Sequence, residues 1–322
     1  MMKLVTTYPF KEKELTRLRQ LGYEVEHFAT DHALDASPQT AQAEVVVASH
    51  RTLTEERLDR MAGLLWVQLP HVGIERLDME YFRRRRILVT NARGALGMPL
   101  AEDILTKMLM FARMSPQYLQ NQARHQWKSV AGTTNLSGKT LGIIGTGDIG
   151  SETAKRAKAM EMEVLGINTK GRPVVPFDRV FATESLHDML PLCDYVVLAC
   201  PLTQKTQGMI GFQQLSLMRP ETVLINISRG GLIDEPSLLE ALTSGHIKGA
   251  GLDVFVDEVE HGRLRTDSPF WDLPNVIITP HQGGDGDQFY QRFSAMFIAN
   301  AAEFIQGHHE AMANLRDYDQ GY

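Results

Sequence analysis

Three short segments carry residue types that can grip an anionic group and move a proton. Asn226-Ile-Ser-Arg-Gly-Gly-Leu-Ile-Asp234 supplies Arg229, whose planar guanidinium suits bidentate contact with a carboxylate. Gly251-Leu-Asp-Val-Phe-Val-Asp-Glu258 supplies Asp253 and Glu258, and Thr279-Pro-His281 supplies His281. Histidine changes charge near neutral pH and can both give and take a proton. Each segment follows an apolar, β-rich run and so falls at the carboxyl end of a strand, where ligands bind in open α/β sheets. An arginine, an acid and a histidine are therefore expected to converge on one crevice. Singly, each has a plainer reading: Arg229 as a sheet-end salt bridge, Asp253 as a turn residue or helix cap, Glu258 as a surface acid, His281 as a loop histidine.

A fourth segment points to a second ligand. Residues 140–150 read Thr-Leu-Gly-Ile-Ile-Gly-Thr-Gly-Asp-Ile-Gly. The G-x-G-x-x-G of Gly145, Gly147 and Gly150 follows an apolar strand and opens the helical pattern Ser151–Met160, the context that a dinucleotide-binding turn requires. Gly145 permits the tight turn, Gly147 lets a pyrophosphate approach the backbone, and Gly150 lets helix and strand pack closely. The pyrophosphate would rest on N–H groups at the helix start, beside Asp148 and Ile149. The next strand ends at Asn168, where an acid would bind a ribose 2′-hydroxyl and cations would accommodate a 2′-phosphate. The segment is Asn168-Thr169-Lys170-Gly171-Arg172, with two cations and no acid. NADP(H) is therefore expected over NAD(H).

The elements that must hold these groups alternate. Residues 44–48, 64–69 and 87–90 read as buried strands and Tyr23–Phe28 as a weaker one, with a helix over Lys11–Leu21 stopped by Gly22. A long helical pattern runs from Pro99 towards Arg113, with Leu100, Ile104, Leu105, Met108 and Phe111 at helical spacing, and a second continues to about Trp127. Six strands follow: Thr140–Ile144, Glu163–Ile167, Tyr195–Ala199, Thr222–Ile227, Gly249–Val254 and Val276–Thr279. The last helix covers about Gln288–Ile305. Alternation of this kind predicts parallel sheets covered on both faces.

Composition bounds the partners. The 322 residues hold 33 Lys and Arg against 39 Asp and Glu, a net charge of −6, with 43% hydrophobic residues. Length alone suggests about two domains. The mild acidity argues against a nucleic-acid or membrane-surface protein, which usually needs a broad positive field. The run Arg83–Arg86 reads as a solvated helix end. Two cysteines give neither a disulfide framework nor a metal-ligand set, so no metal is expected and a reducing, cytoplasmic setting is the natural reading. No apolar run approaches the roughly 20 residues that span a bilayer.

Taken in order, the motifs resemble the D-isomer-specific 2-hydroxyacid dehydrogenase family over almost the whole chain. The similarity rests on the glycine turn, Cys200-Pro201-Leu202-Thr203 with Thr206, Asn226–Asp234, Asp253–Glu258, Trp271-Asp-Leu-Pro-Asn-Val276 and Thr279-Pro-His281. The Asn91-Ala-Arg-Gly-Ala-Leu-Gly97 to Ala101-Glu102 segment and the Gly321-Tyr322 end look most like the glyoxylate and hydroxypyruvate reductase branch. The resemblance implies roles. Arg229 would clamp the substrate carboxylate and 2-oxo oxygen, His281 would protonate the developing alkoxide, and Glu258 would bond the other imidazole nitrogen and favour the imidazolium. Asp253 would accept from the nicotinamide carboxamide, with Pro201 and Ile227 beside the cofactor and Thr206 at the pyrophosphate. Val72 and Gly73, in Leu69-Pro-His-Val-Gly-Ile74, would hold the carboxylate through backbone N–H groups, with His71 in the same loop. Val259 stands where the family usually has Pro. Glu258 and His281 lie 23 positions apart, which predicts a longer charged loop around Glu260–Arg265. Gln282-Gly-Gly-Asp-Gly-Asp287 replaces a run of small residues.

The expected architecture is α/β: two doubly wound parallel-sheet domains, a Rossmann cofactor domain (99–285) inserted in a flavodoxin-like substrate domain (1–98 plus 286–322). The expected activity is reversible hydride transfer between a nicotinamide cofactor and a small 2-oxo acid, glyoxylate or hydroxypyruvate. The rivals are an NAD-dependent phosphoglycerate or D-lactate-type dehydrogenase and a non-catalytic dinucleotide sensor. The resemblance also implies a homodimer through the cofactor domain with Gln117–Asn135 and Trp127 as an arm, although core packing explains Trp127 as well.

Overall fold

The computed structural model describes residues 1–74 and 77–318, so the Gly321-Tyr322 end lies outside the described residues. The chain divides into two compact units, Met1–Leu96 with Gly286–Tyr322, and Gly97–Asp285.

The first unit holds β1 (Met2–Thr6), β2 (Tyr23–His27), β3 (Val45–Val47), β4 (Trp66–Gln68) and β5 (Leu88–Thr90). They pair in parallel in the order β2-β1-β3-β4-β5, the flavodoxin-like doubly wound order. The three valines of β3 are fully buried, as expected of a central parallel strand covered on both faces. The helix Asp287–Ile305 belongs to this unit although it is last in sequence. Its Phe297 and Phe304 rings lie 5.3 and 5.0 Å from Trp66, and Tyr23 Oη donates to Ala301 O at 2.8 Å. Truncating one such buried ring costs about 3–5 kcal/mol, enough to hold a sequence-distant helix in this core.

The second unit opens with the helix Gly97–Ala112, so the expected start at Pro99 falls inside it. Its strands are β6 (Thr140–Ile144), β7 (Glu163–Asn168), β8 (Arg179–Ala182), β9 (Tyr195–Leu198), β10 (Val223–Asn226), β11 (Gly249–Leu252) and β12 (Val276–Ile278). The order β12-β11-β10-β9-β6-β7-β8 is the dinucleotide-binding 3-2-1-4-5-6 order with one strand added. Strand β8 was not expected. It is a four-residue edge strand with only Phe181 buried, too short for a periodic signal. The helical stretch expected to reach Trp127 ends at Ala123, and Trp127 is fully exposed, so core packing does not explain it. Arg83, Arg84 and Arg86 are exposed at the end of the helix Met79–Arg85, as a solvated helix end should be. Among the described residues, no helix is long and apolar enough to cross a membrane and no cluster of His, Cys, Asp or Glu suits a metal.

Candidate active site

The sheet of the second unit reverses its winding between β6 and β9, and the glycine turn sits at that point. Its glycines have different reasons. Gly145 has φ +111°, and a Cβ there would lie 2.5 Å from Ala199 O. A Cβ on Gly150 would lie 2.0 Å from Gly145 O, so this residue lets the helix Asp148–Ala159 close on β6. Nothing lies within 4 Å of the Cβ position of Gly147. Two glycines thus serve packing, and the third leaves bare backbone at a helix N-terminus, which fits a dinucleotide pyrophosphate. The helix begins at Asp148, earlier than Ser151. The Asp148 carboxylate lies against Gly97, 2.3 Å from where a Cβ would stand, so what it offers the turn is backbone.

Two polar side chains expected at the cofactor build loops instead. Asn168 Nδ2 donates to Arg172 O (2.8 Å) and Thr146 Oγ1 (3.2 Å), while its Oδ1 accepts from the N–H groups of Lys170 and Arg172. That amide is committed to the turn on which Thr169, Lys170 and Arg172 are exposed. Thr206 Oγ1 donates to Pro201 O at 2.7 Å and accepts from Thr203 N at 2.8 Å, closing the 201–206 turn. Ile227 is buried, so only its backbone can face a ligand.

At the end of β10, Asn226 is fully buried, and its amide bonds Arg229 O (2.9 Å) and Ser228 N (3.1 Å). Ser228 Oγ donates to Cys200 O at 2.6 Å, and Arg229 Nη1 donates to Ser228 O at 2.8 Å. A Cβ on Gly230 would lie 2.1 Å from Phe255 C. Only glycine lets this turn pack on the segment that follows β11, so the motif fixes where the Arg229 backbone sits.

His281 follows β12 in a left-handed conformation, φ 54°, and its N–H donates to Asp253 O at 2.9 Å. Its Nδ1 meets Glu258 Oε1 in a short hydrogen bond, which directs Nε2 away from the carboxylate. The long stretch between the two folds on itself. Asp257–His261 is a short helix ended by Gly262 (φ 67°), Arg265 pairs with Asp257, and Trp271 Nε1 donates to Arg265 O at 2.8 Å. The extra residues bulge outward and leave Glu258 in reach of His281.

Asp253 holds this turn. It is 1% exposed, and its carboxylate accepts Thr279 Oγ1 at 2.5 Å, Gln282 N at 3.1 Å and Gly283 N at 3.1 Å. Three donors occupy the group that was expected to receive a carboxamide. Behind it lie Asp103 and the buried Lys107, joined at 2.6 Å, which sequence reading missed. The signal was an acid–lysine pair four residues apart on an otherwise apolar helix face.

In the first unit, the loop after β4 is tied down separately. Asn91 Nδ2 donates to Val72 O at 2.6 Å, and Ala92 N donates to His71 O. His71 Nδ1 faces Gly73 O at 2.9 Å, so that nitrogen carries the proton and Nε2 accepts. The Nε2 receives His50 N–H at 3.2 Å and faces His50 Nδ1 at 3.1 Å. His50, at the end of β3, was not singled out. Its position after a buried strand, like that of His71, was the available clue.

The strand order and a bare glycine turn at the switch point define a dinucleotide-binding α/β protein. The family model described as "D-isomer specific 2-hydroxyacid dehydrogenase, NAD binding domain" matches residues 105–283. The D-3-phosphoglycerate dehydrogenase of Methanocaldococcus jannaschii is 36% identical over 315 residues, covering 95% of this chain but 58% of that protein, so the chain spans little more than half its length. The glyoxylate/hydroxypyruvate reductase B of Pectobacterium atrosepticum is 32% identical over 85% of this chain and 86% of its own. The crystal structure of a D-isomer specific 2-hydroxyacid dehydrogenase family protein from Aeromonas salmonicida superposes with a TM-score of 0.87 at 29% identity, covering 99% of each chain. This chain belongs to the D-isomer specific 2-hydroxyacid dehydrogenase family, whose members bind nicotinamide cofactors.

Proposed function

We propose that the chain reduces a small 2-oxo acid to a D-2-hydroxy acid, and runs the reverse, with a nicotinamide cofactor. The observation that carries this reading is the contact between His281 Nδ1 and Glu258 Oε1, on the segments that follow the neighbouring strands β12 and β11. The carboxylate fixes the orientation of the ring, and Nε2 delivers the proton to the substrate oxygen. Arg229 holds the substrate carboxylate and polarises the 2-oxo group. The loop after β4 offers the backbone N–H groups of Val72 and Gly73 for a carboxylate. The cofactor supplies the hydride when bound. Gly145, Gly147, Asp148, Ile149 and Gly150 form its pyrophosphate turn, and Pro201, Thr206, Ile227 and Asp253 shape the loops around it.

Glyoxylate or hydroxypyruvate is the proposed substrate, supported by the Pectobacterium relative, which the chain matches over most of both lengths. A second reading, a 3-phosphoglycerate-type substrate, is favoured by the higher identity to the archaeal relative. NADP(H) is the proposed cofactor because Lys170 and Arg172 are exposed on the turn after β7, where a 2′-phosphate would lie. A homodimer is proposed on the fully exposed Trp127. Burial pushes the Cys193 and Cys200 thiols up to about 12 and about 11, so neither is poised as a nucleophile.

The test is a panel of 2-oxo acids assayed with NADH and NADPH in parallel. The expected result is highest kcat/KM with glyoxylate or hydroxypyruvate and NADPH. Activity confined to the phosphorylated acid would favour the second reading, and no turnover with any acid would point to a dinucleotide sensor.

A further inference from the structure

The helix Gly97–Ala112 packs an apolar face into the second unit, yet Lys107 on that face is only 1% exposed. A buried ammonium is costly unless it is paired. Both oxygens of Asp103 lie on its Nζ, at 2.6 and 2.5 Å. Room for its stem comes from Gly251 in β11, where a Cβ would stand 2.9 Å from Lys107 Cδ. A lysine on a helix and a glycine within a strand are therefore a matched pair, two residues before Asp253.

The pair faces the turn that carries His281. A Cβ on Gly283 would lie 2.7 Å from Asp103 Oδ2 and 3.0 Å from Asp253 Oδ2, so two carboxylates meet across this glycine. Burial and the Asp253 charge push the Asp103 acid above its usual range, and Lys107 opposes them. The Asp253 carboxyl accepts from Thr279, Gln282 and Gly283 together, so its position sets the turn. Two carboxylates this close, one buried and one partly buried, repel each other, and the Lys107 ammonium offsets that repulsion.

We propose that Lys107 and Asp103 form a partly buried ion pair that positions His281, with Lys107 balancing the second carboxylate so that Asp253 is not pushed away from the turn it holds. Lys107 touches no reacting atom. It acts through Asp103, Asp253 and the 279–283 turn on the ring that meets Glu258. A leucine or methionine would pack the same helix face, and what the lysine adds is charge.

The proposal rests on the reductase reading for its kinetic arm alone. In Lys107→Met, kcat should fall about tenfold to a hundredfold, the loss expected from slight misplacement of a catalytic group, while the cofactor Kd stays within about twofold. Amide hydrogen exchange of the 279–285 segment should speed up, since an Asp253 carboxylate repelled by an unbalanced Asp103 shifts off the Gln282 and Gly283 N–H groups. In Asp103→Asn/Lys107→Met, which removes both charges and keeps the shapes, turnover and protection should return to within about threefold of the parent, because such directly coupled changes are not additive. A single variant that fails to fold beside a folded, active double variant reports the same imbalance. A double variant as impaired as the single, or a single variant with unchanged kcat and exchange, overturns the proposal. If no acid is turned over by the parent, the activity reading fails while the exchange comparison still decides this one.

Discussion

The two halves of the second unit's carboxyl edge work by opposite means. On the β9–β6–β7 side the turn is made of glycines, backbone and open space, and the polar side chains there, Asn168 after β7 and Thr206 after β9, are spent on shaping loops. On the β10–β12 side the side chains proposed for the chemistry are ionisable, and each is held by others: Asn226 and Ser228 behind Arg229, Glu258 behind His281, Asp253 behind the turn, and Lys107 with Asp103 behind Asp253. Backbone recognition needs room and tolerates little packing change. Side-chain chemistry needs charge balance and tolerates shape change better. Variants in the two halves should therefore fail differently.

The largest expected effect is on the glycine side. Gly150→Ala puts a methyl 2.0 Å from Gly145 O; with backbone as the obstacle it should cost on the order of 3 kcal/mol, a fall in Tm of roughly 6–12 °C. A variant as stable as the parent in thermal unfolding would mean that this half is not packed as described. Gly147→Ala meets nothing within 4 Å, so its stability should stay within about 0.5 kcal/mol. Its dinucleotide Kd should nevertheless rise about tenfold, the 1.4 kcal/mol of one spoiled approach. Unchanged binding in a fluorescence titration would remove the pyrophosphate from this turn. The smallest effect concerns the exposed cations. Lys170→Ala/Arg172→Ala should lower the NADPH-to-NADH ratio of kcat/KM by about tenfold, modest because exposed charge-assisted contacts are partly screened. An unmoved ratio would show that these are solvated loop charges.

The same contrast explains what the sequence disclosed. The glycine turn was legible because its constraints are local: Gly145, Gly147 and Gly150 sit within six positions, between a strand and a helix. Arg229, Glu258 and His281 were legible from residue type and strand-end position. Their supports were not. Asp253 was legible as a strand-end acid, but nothing in its neighbours announces Thr279, Gln282 and Gly283 as donors, and the bonds of Asn168 go to backbone within its own turn and to the Thr146 side chain 22 positions away. Lys107 is separated from Gly251 by 144 positions, and only the folded sheet brings them together. In the fold, β8 was lost because an edge strand with one buried side chain carries no period. The helix Asp287–Ile305 showed its apolar pattern but not the Trp66 ring that it covers.

The most direct test of the account is the turnover of His281→Ala with the preferred 2-oxo acid, measured beside its cofactor Kd. Loss of the group that carries the proton should lower kcat by about 10²–10⁴-fold and leave cofactor binding intact. A kcat near that of the parent would contradict the assignment of the Glu258–His281 pair to the chemistry.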